Sequence, residues 1–171
     1  DLEDLASRQA EIVSDVVSWL PGVRVLVCPT YYSFDAVLER FFGRMPVGYW
    51  RRLGSELPSG ADIFWTGNRV CSELISAPDI ERIHSQLQRP VLLWDNYPVN
   101  DLAMADRLFV GPVRGRQPGL VGACSGYFSN PMVQPRASKP ALSSIAALTR
   151  GDDPEAAWGL DIGELRVFAE A

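Results

Sequence analysis

The sequence predicts an α/β fold in which about four parallel strands alternate with helices. Short apolar runs recur roughly every 30–40 residues, and helical patterns lie between them, which is typical of βα repeats. Each run is apolar at nearly every position, as expected for a parallel strand that is covered on both faces. Connections between such strands are right-handed crossovers, so the carboxyl ends of the strands are expected at one edge of the sheet.

The first element is an amphipathic helix over about residues 4–20, which Pro21 and Gly22 end. Strands are predicted from the apolar runs that turn residues close, at 23–28, 62–65, 91–94 and 121–128. Further helices are predicted from apolar spacing at 47–57, 78–87 and 137–149. Ser76 is placed to cap the middle one of these helices. The tail from Gly151 has helical periodicity near its end.

Two architectures fit this element order. A four-stranded parallel sheet can be a complete doubly wound domain, or it can be half of a (β/α)₈ barrel, which typically needs ~250 residues. A half-barrel would leave two open sheet edges. The 171 residues contain no internal linker or low-complexity segment, so a single domain over 1–171 is predicted in either case.

Composition limits the classes of ligand and partner. With 47% hydrophobic and 22% charged residues, the chain has the composition of an ordered globular protein. The net charge of −5 provides no basic surface for nucleic acid and favours an uncharged or weakly polar ligand. No apolar run is long enough to predict a membrane span.

The cysteines and the single histidine argue against a metal site. Cys28, Cys71 and Cys124 are far apart and lack metal-ligand spacing, so they are predicted to be small buried thiols in a reducing compartment, the cytoplasm. With one histidine in the chain, a histidine-based metal site is not expected. No cofactor is predicted, because the chain also lacks a glycine-rich phosphate loop.

Polar and aromatic residues follow each predicted strand, at the edge where parallel α/β folds build their active sites. The four clusters are residues 29–32, 65–67, 94–101 and 129–132. The densest is 94–101, with two carboxylates, two carboxamides, a Trp and a Tyr. Aromatic rings stack on the apolar face of a sugar, while Asn and Asp bond its hydroxyls. The residue types therefore favour a sugar site, with Trp65 among its candidate platforms.

Each of these residues also has a purely structural interpretation. Trp65 and Trp94 can be core residues, and Asp95 can bridge the loop backbone. Asp101 can be a helix N-cap, and Asn130 with the following proline is a general turn signal. Asp95 and Asp101 could form a glycosidase carboxylate pair, but their spacing does not decide whether they reach the required separation.

For two pairs of residues close in sequence, the tyrosines at 31 and 32 and the arginines at 114 and 116, the sequence gives a more definite expectation. Tyr31 and Tyr32 cannot point the same way along an extended chain, so at least one of them is expected to pack. Arg114 and Arg116 lie in a loop rich in Gly and Pro, where they are expected to be solvated. A G-x-S-x-G nucleophile elbow is absent from the sequence.

Five ordered motifs across about residues 20–140 resemble glycoside hydrolase family 84, the β-N-acetylglucosaminidases that include the O-GlcNAcases. The motifs are Cys28-Pro29-Thr30-x-Tyr32, Trp65-Thr66-Gly67, Trp94-Asp95-Asn96-x4-Asp101, Gly111-Pro112 with Gly115-Arg116, and Asn130-Pro131-Met132. One departure is Tyr31, where the family often has Glu. The resemblance implies a (β/α)₈ barrel and hydrolysis of terminal N-acetylglucosamine with retention, in which the sugar's own acetamido oxygen is the nucleophile.

The resemblance also implies roles for five residues. Asp101 would bond the 4- and 6-hydroxyls of the sugar, and Asn130 would bond hydroxyls of the same ring. Asn96 and Tyr32 would contact the acetamido side, and Trp94 would form a wall of the acetamido pocket. The implied substrate is an N-acetylglucosamine-bearing glycan or glycoprotein.

The catalytic Asp-Asp pair of the family has no counterpart in the expected context. It follows a strand, whereas Asp152 and Asp153 lie in a late loop, and Asp1 and Asp4 open a helix. The chain is therefore expected to be the second half of the barrel, inactive alone, and to pair with the missing half or with its own copies. The alternative is a complete, non-catalytic α/β domain that binds a sugar or helps assembly.

Overall fold

The computed structural model describes the backbone of residues 4–169 and the side chains of residues 4–163. Within this part of the chain, four strands form one sheet in the order β1-β2-β3-β4, and each pairs in parallel with the next. The strands are β1 Val25–Val27, β2 Ala61–Trp65, β3 Leu92–Asp95 and β4 Gly126–Ser129. The predicted α/β fold with about four parallel strands is confirmed.

The strand order distinguishes between the two predicted architectures. A doubly wound sheet reverses the direction of strand addition at a switch point. Here every crossover moves one position in the same direction, so right-handed crossovers place the connecting helices on one face of the sheet. That is the arrangement of consecutive βα units in a (β/α)₈ barrel, of which this sheet is an arc.

The helices match the predicted ones except for one addition. They are α1 Leu5–Trp19, α2 Val37–Phe42, α3 Tyr49–Glu56, α4 Ala77–Leu87, α5 Pro135–Arg150 and α6 Pro154–Ala169. The short helix α2 was not predicted. Ser76 precedes α4 as expected, and its amide N–H donates to the Asp79 carboxylate over 2.8 Å. Among the described residues, no helix combines the length and apolarity that a membrane crossing requires.

The predicted strand at 121–128 is wrong in its first half. Val121–Ala123 forms a 3₁₀ turn, which the amide of Cys124 closes by donating to the carbonyl of Val121 over 3.2 Å. Pairing with β3 begins only at Gly126, opposite Leu92. The apolar run therefore spans a turn and a strand, which hydrophobicity alone does not separate. The first strand is also shorter than the predicted 23–28.

The main core lies between the helices and one face of the sheet. Ile63, Trp65 and Leu93 point into it and are completely buried. They pack in one cluster with Leu53 of α3 and Ile83 of α4. Because side chains alternate along a strand, the residues between them project to the opposite face.

That opposite face carries an aromatic cluster of Phe64, Trp94 and Phe128. Phe64 lies edge-on to both partners, with ring centroids 5.0 Å from Trp94 and 5.4 Å from Phe128. Trp94 and Phe128 are parallel at 6.3 Å. Phe128 remains 43% exposed and Leu26 on the same face 37%, so the described elements leave this apolar face partly open.

Candidate functional site

All five sequence-predicted site residues lie around one cavity at the carboxyl ends of the strands. The residues are Tyr32 after β1, Trp94 in β3, Asn96 and Asp101 after β3, and Asn130 after β4. The cavity has a volume of about 410 Å³, within the range of sites for small molecules. The parallel sheet brings these residues together because all its strand ends lie on one side.

Asn96 is the centre of the hydrogen bonding in this cavity. Its Oδ1 accepts from Nε1 of Trp94 over 2.9 Å and from Nδ2 of Asn130 over 3.0 Å. Its Nδ2 donates to the carbonyl of Val70 over 2.7 Å. The indole N–H can only donate and the carbonyl can only accept, so these partners fix the orientation of the carboxamide. One N–H of Asn96 has no partner among the described residues, so it is available to a ligand.

Asp101 presents its carboxylate to the cavity without a partner among the described residues. It occupies the N-cap position of a 3₁₀ turn at Leu102–Met104, but its side chain makes no capping hydrogen bond. Only its main-chain carbonyl takes part, accepting from the amide of Met104 over 2.9 Å. The N-cap alternative for the Asp101 side chain is therefore not realised, and both carboxylate oxygens can accept hydrogen bonds from a ligand.

Asn100 holds the Asp101 loop in place, a role that the sequence did not indicate. Its side chain is buried and donates to the carbonyl of Arg107 over 2.8 Å and to Oε1 of Gln134 over 2.9 Å. Its Oδ1 accepts from the amide of Val133 over 3.2 Å. A buried carboxamide with all these bonds tethers the loop to the start of α5.

The aromatic wall of the cavity is Phe64 with Trp94, and not Trp65. Trp65 is completely buried on the helix-facing side of β2, where it packs edge-on against Phe34 at 5.4 Å. Trp65 is therefore a core residue, and its interpretation as a sugar platform is wrong. Phe64, its neighbour in the strand, lines the cavity in its place. The period-two alternation was the signal that could have identified Phe64.

Tyr31 and Tyr32 divide their roles as predicted. Tyr31 is 2% exposed, packs edge-on against Tyr49 at 5.0 Å, and donates its hydroxyl to the carbonyl of Gly43 over 2.8 Å. Tyr32 lines the cavity. Burial, together with nearby Cys28 and Cys71, raises the pKa of Tyr32, so its hydroxyl stays protonated and can donate to a ligand.

Two cysteines lie in the cavity wall, which corrects the prediction that all three thiols are buried. Cys28 and Cys71 are exposed, and both line the cavity beside Tyr32. The cavity wall partly shields each thiol group from water, which raises the pKa of both, and nearby Asp101 raises that of Cys71 further. They are therefore neutral thiols at physiological pH and contribute apolar surface, not a thiolate nucleophile.

Asp95 turns away from the cavity and pairs with Arg116, which corrects the prediction of a solvated loop at this arginine. The two side chains are 1% and 3% exposed, and both nitrogen–oxygen distances are 2.7 Å. The hydroxyl of Tyr127 also donates to Asp95. Burial by itself lowers the pKa of Arg116, but the hydrogen bonds to Asp95 and the charge of Asp95 outweigh it. The pKa of Arg116 is therefore raised above its usual value. Asp95 is therefore structural, but its carboxylate holds two side chains and not the loop backbone that the sequence predicted.

The cavity is nearly free of charge. Among its described lining residues Asp101 is the only carboxylate, none is Lys, Arg or His, and the others are apolar, amide, hydroxyl or thiol groups. Among the described residues, no three His, Cys, Asp or Glu side chains converge as metal ligands would. Such a cavity fits an uncharged ligand with an apolar face and several hydroxyl or amide groups.

Comparisons with known proteins point in the same direction. The family model described as beta-N-acetylglucosaminidase matches residues 2–165. Among curated proteins, Protein O-GlcNAcase of Rattus norvegicus and that of Mus musculus are each 30% identical over 142 residues. That alignment covers 82% of this chain and 15% of each relative, so the chain spans about one seventh of their length.

A solved structure is also similar. A mutant of the Thermobaculum terrenum O-GlcNAc hydrolase superposes with a TM-score of 0.80 at 37% sequence identity. The match covers 94% of this chain and 34% of that chain. The structural likeness therefore extends over nearly all of the fold described above.

Proposed function

The chain belongs to the β-N-acetylglucosaminidase family, and we propose that it forms the sugar-binding half of a retaining glycoside hydrolase active site. The observation that carries the proposal is the meeting of Tyr32, Trp94, Asn96, Asp101 and Asn130 around one cavity. The roles given to them by the family resemblance require this proximity. The substrate is a terminal N-acetylglucosamine on a glycan or glycoprotein.

In this proposal the cavity recognises the sugar by its hydroxyls and its acetamido group. The unpaired carboxylate of Asp101 accepts hydrogen bonds from the 4- and 6-hydroxyls, and Asn130 bonds the same ring. The free N–H of Asn96 and the protonated hydroxyl of Tyr32 are donors for the acetamido side. Trp94 walls the acetamido pocket, where Cys28 and Cys71 add apolar surface. A bound sugar covers these polar groups, so the site rejects sugars that leave them unpaired.

The chain's residues bind and orient the sugar, whereas proton transfer needs groups beyond them. In substrate-assisted hydrolysis the acetamido oxygen bonds to the anomeric carbon as the glycosidic bond breaks, forming an oxazoline. A general acid protonates the leaving oxygen, and water then opens the oxazoline with retention. Among the described residues, Asp101 is the only carboxylate lining the cavity, and its proposed role is hydroxyl binding. In this proposal the acid and the group that orients the acetamide come from outside the described lining of the cavity.

The open apolar face of the sheet supports pairing with a second barrel half. Phe128 and Leu26 are partly exposed there, and the outer edges of β1 and β4 have no strand partner among the described residues. Unpaired edges favour addition of further strands. The partner is the remaining half of the barrel, or another copy of this chain when that half is absent. The free thiols Cys28, Cys71 and Cys124 support a reducing compartment, such as the cytoplasm.

Asp101→Asn in the full-length protein tests the proposal. The full-length protein is expected to hydrolyse a chromogenic β-N-acetylglucosaminide, and the isolated residues 1–171 are expected to bind sugar without hydrolysing it. Asn keeps one acceptor oxygen but loses the charge and the second acceptor, which should lower kcat/KM of the Asp101→Asn variant by about 10- to 100-fold. Asp106→Asn, a change at a carboxylate that is 82% exposed, is the matched control and should leave kcat/KM unchanged.

Two results would contradict the proposal. Turnover by residues 1–171 alone would show that this chain holds its own acid and base. Equal kcat/KM for Asp101→Asn and the parent protein would remove the carboxylate from the sugar site. Binding of N-acetylglucosamine by a full-length protein that never hydrolyses the chromogenic substrate would favour the alternative, a non-catalytic carbohydrate-binding domain.

A further inference from the structure

A chain of hydrogen bonds connects the loop after β1 with Asn96 through a single residue of the loop after β2. The amide N–H of Val70 donates to Oδ2 of Asp35 over 3.2 Å. The carbonyl of the same Val70 accepts from Nδ2 of Asn96 over 2.7 Å. Since Asp35 and Asn96 both bond Val70, a movement of the Val70 backbone is transmitted to the carboxamide at the centre of the cavity.

Asp35 is itself held by the surrounding backbone. Its Oδ1 accepts from the amide of Val37 over 3.0 Å, at the start of α2. Its own amide donates to Oγ of Ser33 over 3.1 Å, and Ser33 Oγ donates to the carbonyl of Gly67 over 2.8 Å. Both carboxylate oxygens therefore face backbone N–H donors. A carboxylate can accept on both sides, whereas an amide of the same shape must place an NH₂ against one of the donors.

We propose that Asp35 is a positioning residue for the sugar site, which acts through Val70 to fix the carboxamide of Asn96. Asp35 does not line the cavity, so it does not touch the ligand. By fixing Val70, it keeps the Val70 carbonyl where Asn96 must donate to it, and thereby keeps the second N–H of Asn96 available. The role in hydrolysis rests on the proposed function, whereas the contacts between the three residues do not depend on it.

Asp35→Asn in the full-length protein is the first test. The asparagine Oδ1 can still accept from the amide of Val37, but the asparagine Nδ2 then faces the Val70 N–H. Two donors cannot bond each other, so the contact with Val70 is lost. Misplacement of Asn96 is expected to lower kcat/KM for a chromogenic β-N-acetylglucosaminide by about tenfold, the loss expected for one hydrogen bond to a charged group. Glu39→Gln is the matched control. Glu39 accepts from the backbone amide of Met45 over 3.0 Å and has no bond to Val70, so kcat/KM should not change.

A double-mutant cycle separates action through Asn96 from a general loss of stability. If Asp35 acts through Asn96, Asp35→Asn should change kcat/KM by less than about twofold once Asn96 is already replaced by alanine. A tenfold loss in both backgrounds would overturn the inference, because Asp35 would then act independently of Asn96. If Asp35→Asn does not fold, Asp35→Glu is taken through the same cycle, since it keeps the charge and moves the carboxylate.

A measurement without substrate distinguishes failure of this inference from failure of the proposed function. In full-length protein labelled with ¹⁵N at asparagine, the two side-chain amide protons of Asn96 have different surroundings, because only one donates to Val70. Asp35→Asn should shift this pair of signals and speed their exchange with water, and Glu39→Gln should not. Unchanged Asn96 signals in Asp35→Asn would overturn the positioning role, even if the protein hydrolyses no N-acetylglucosaminide.

Discussion

Two arginines that lie two positions apart, Arg114 and Arg116, have opposite surroundings. Arg114 is 75% exposed and pairs with Glu155 at the surface over 3.0 Å. Arg116 is buried against Asp95, and its Nη1 and Nη2 also donate to the carbonyls of Glu73 and Ser72, over 2.8 and 2.7 Å. One guanidinium thus ties the loop after β2 to the end of β3, where Asp95 directly precedes Asn96.

Replacing each arginine by leucine should give very different changes in stability. Arg116→Leu leaves the Asp95 carboxylate buried without its partner, which is expected to lower the free energy of unfolding by ~3–5 kcal/mol. Arg114→Leu removes a solvent-exposed pair, which is worth ~1 kcal/mol or less. Chemical unfolding of the full-length protein measures both. Similar losses for the two variants would contradict the assignment of Arg116 to a buried network.

The sequence identified the five residues around the cavity but not what holds them. Polar and aromatic types after strands mark a site, so Asn96 and Asp101 could be found from the pattern. Arg116 and Asn100 have partners 21 and 34 positions away, Asp95 and Gln134, and such contacts follow only from the folded loops. The sequence placed Trp65 on the wrong face of the sheet, because the face to which a side chain points depends on the residue at which the strand begins.

At the level of helices, α3 lies against the backbone at the end of α4. A Cβ added to Gly54 would stand 1.9 Å from the carbonyl oxygen of Leu87, so only a glycine permits this contact. The approach lets Leu53, beside Gly54, pack in the same core cluster as Ile83 and Trp65. The packing of α3 against the end of α4 therefore depends on the absence of a side chain at Gly54.

Gly54→Ala should destabilise the protein, whereas Gly159→Ala should not. At Gly54 the two helix backbones must separate, and overpacking of this kind costs ~1–3 kcal/mol. At Gly159 in α6 nothing lies within 4 Å of an added Cβ, so the higher helix propensity of alanine should stabilise by up to ~1 kcal/mol. Thermal unfolding of both full-length variants tests this, and a loss of stability at Gly159 or none at Gly54 would contradict it.

Element types were predictable here, while boundaries and short elements were less so. The long amphipathic helices α1 and α5 agree with their predicted ranges to within two residues because many apolar positions define each one. Helix α2 has six residues and depends on a contact between Asp35 and the amide of Val37, which periodicity does not reveal. Similarly, the 3₁₀ turn at Val121–Ala123 lies inside an apolar run.

At the level of the whole molecule, the sheet has one face covered by helices and one face left partly open. The open face is apolar at Leu26, Phe64 and Phe128, yet it also holds the ion pair between Arg24 and Asp62. The interior of a (β/α)₈ barrel is filled by layers of large side chains, so the apolar part of this face fits a barrel interior. The proposed pairing with a second barrel half would remove Phe128 from solvent and close both sheet edges.

Phe128→Ser and Phe41→Ser test whether this face is covered in the complete protein. In the described residues, Phe128 is 43% exposed and Phe41, on α2, is 75% exposed. If a second barrel half covers the face, Phe128→Ser in the full-length protein should cost ~3–5 kcal/mol of unfolding free energy, as a buried aromatic truncation does. Phe41→Ser should stay within ~0.5 kcal/mol, as substitutions at the surface do. Equal small changes in both variants would leave Phe128 in solvent and contradict the half-barrel arrangement.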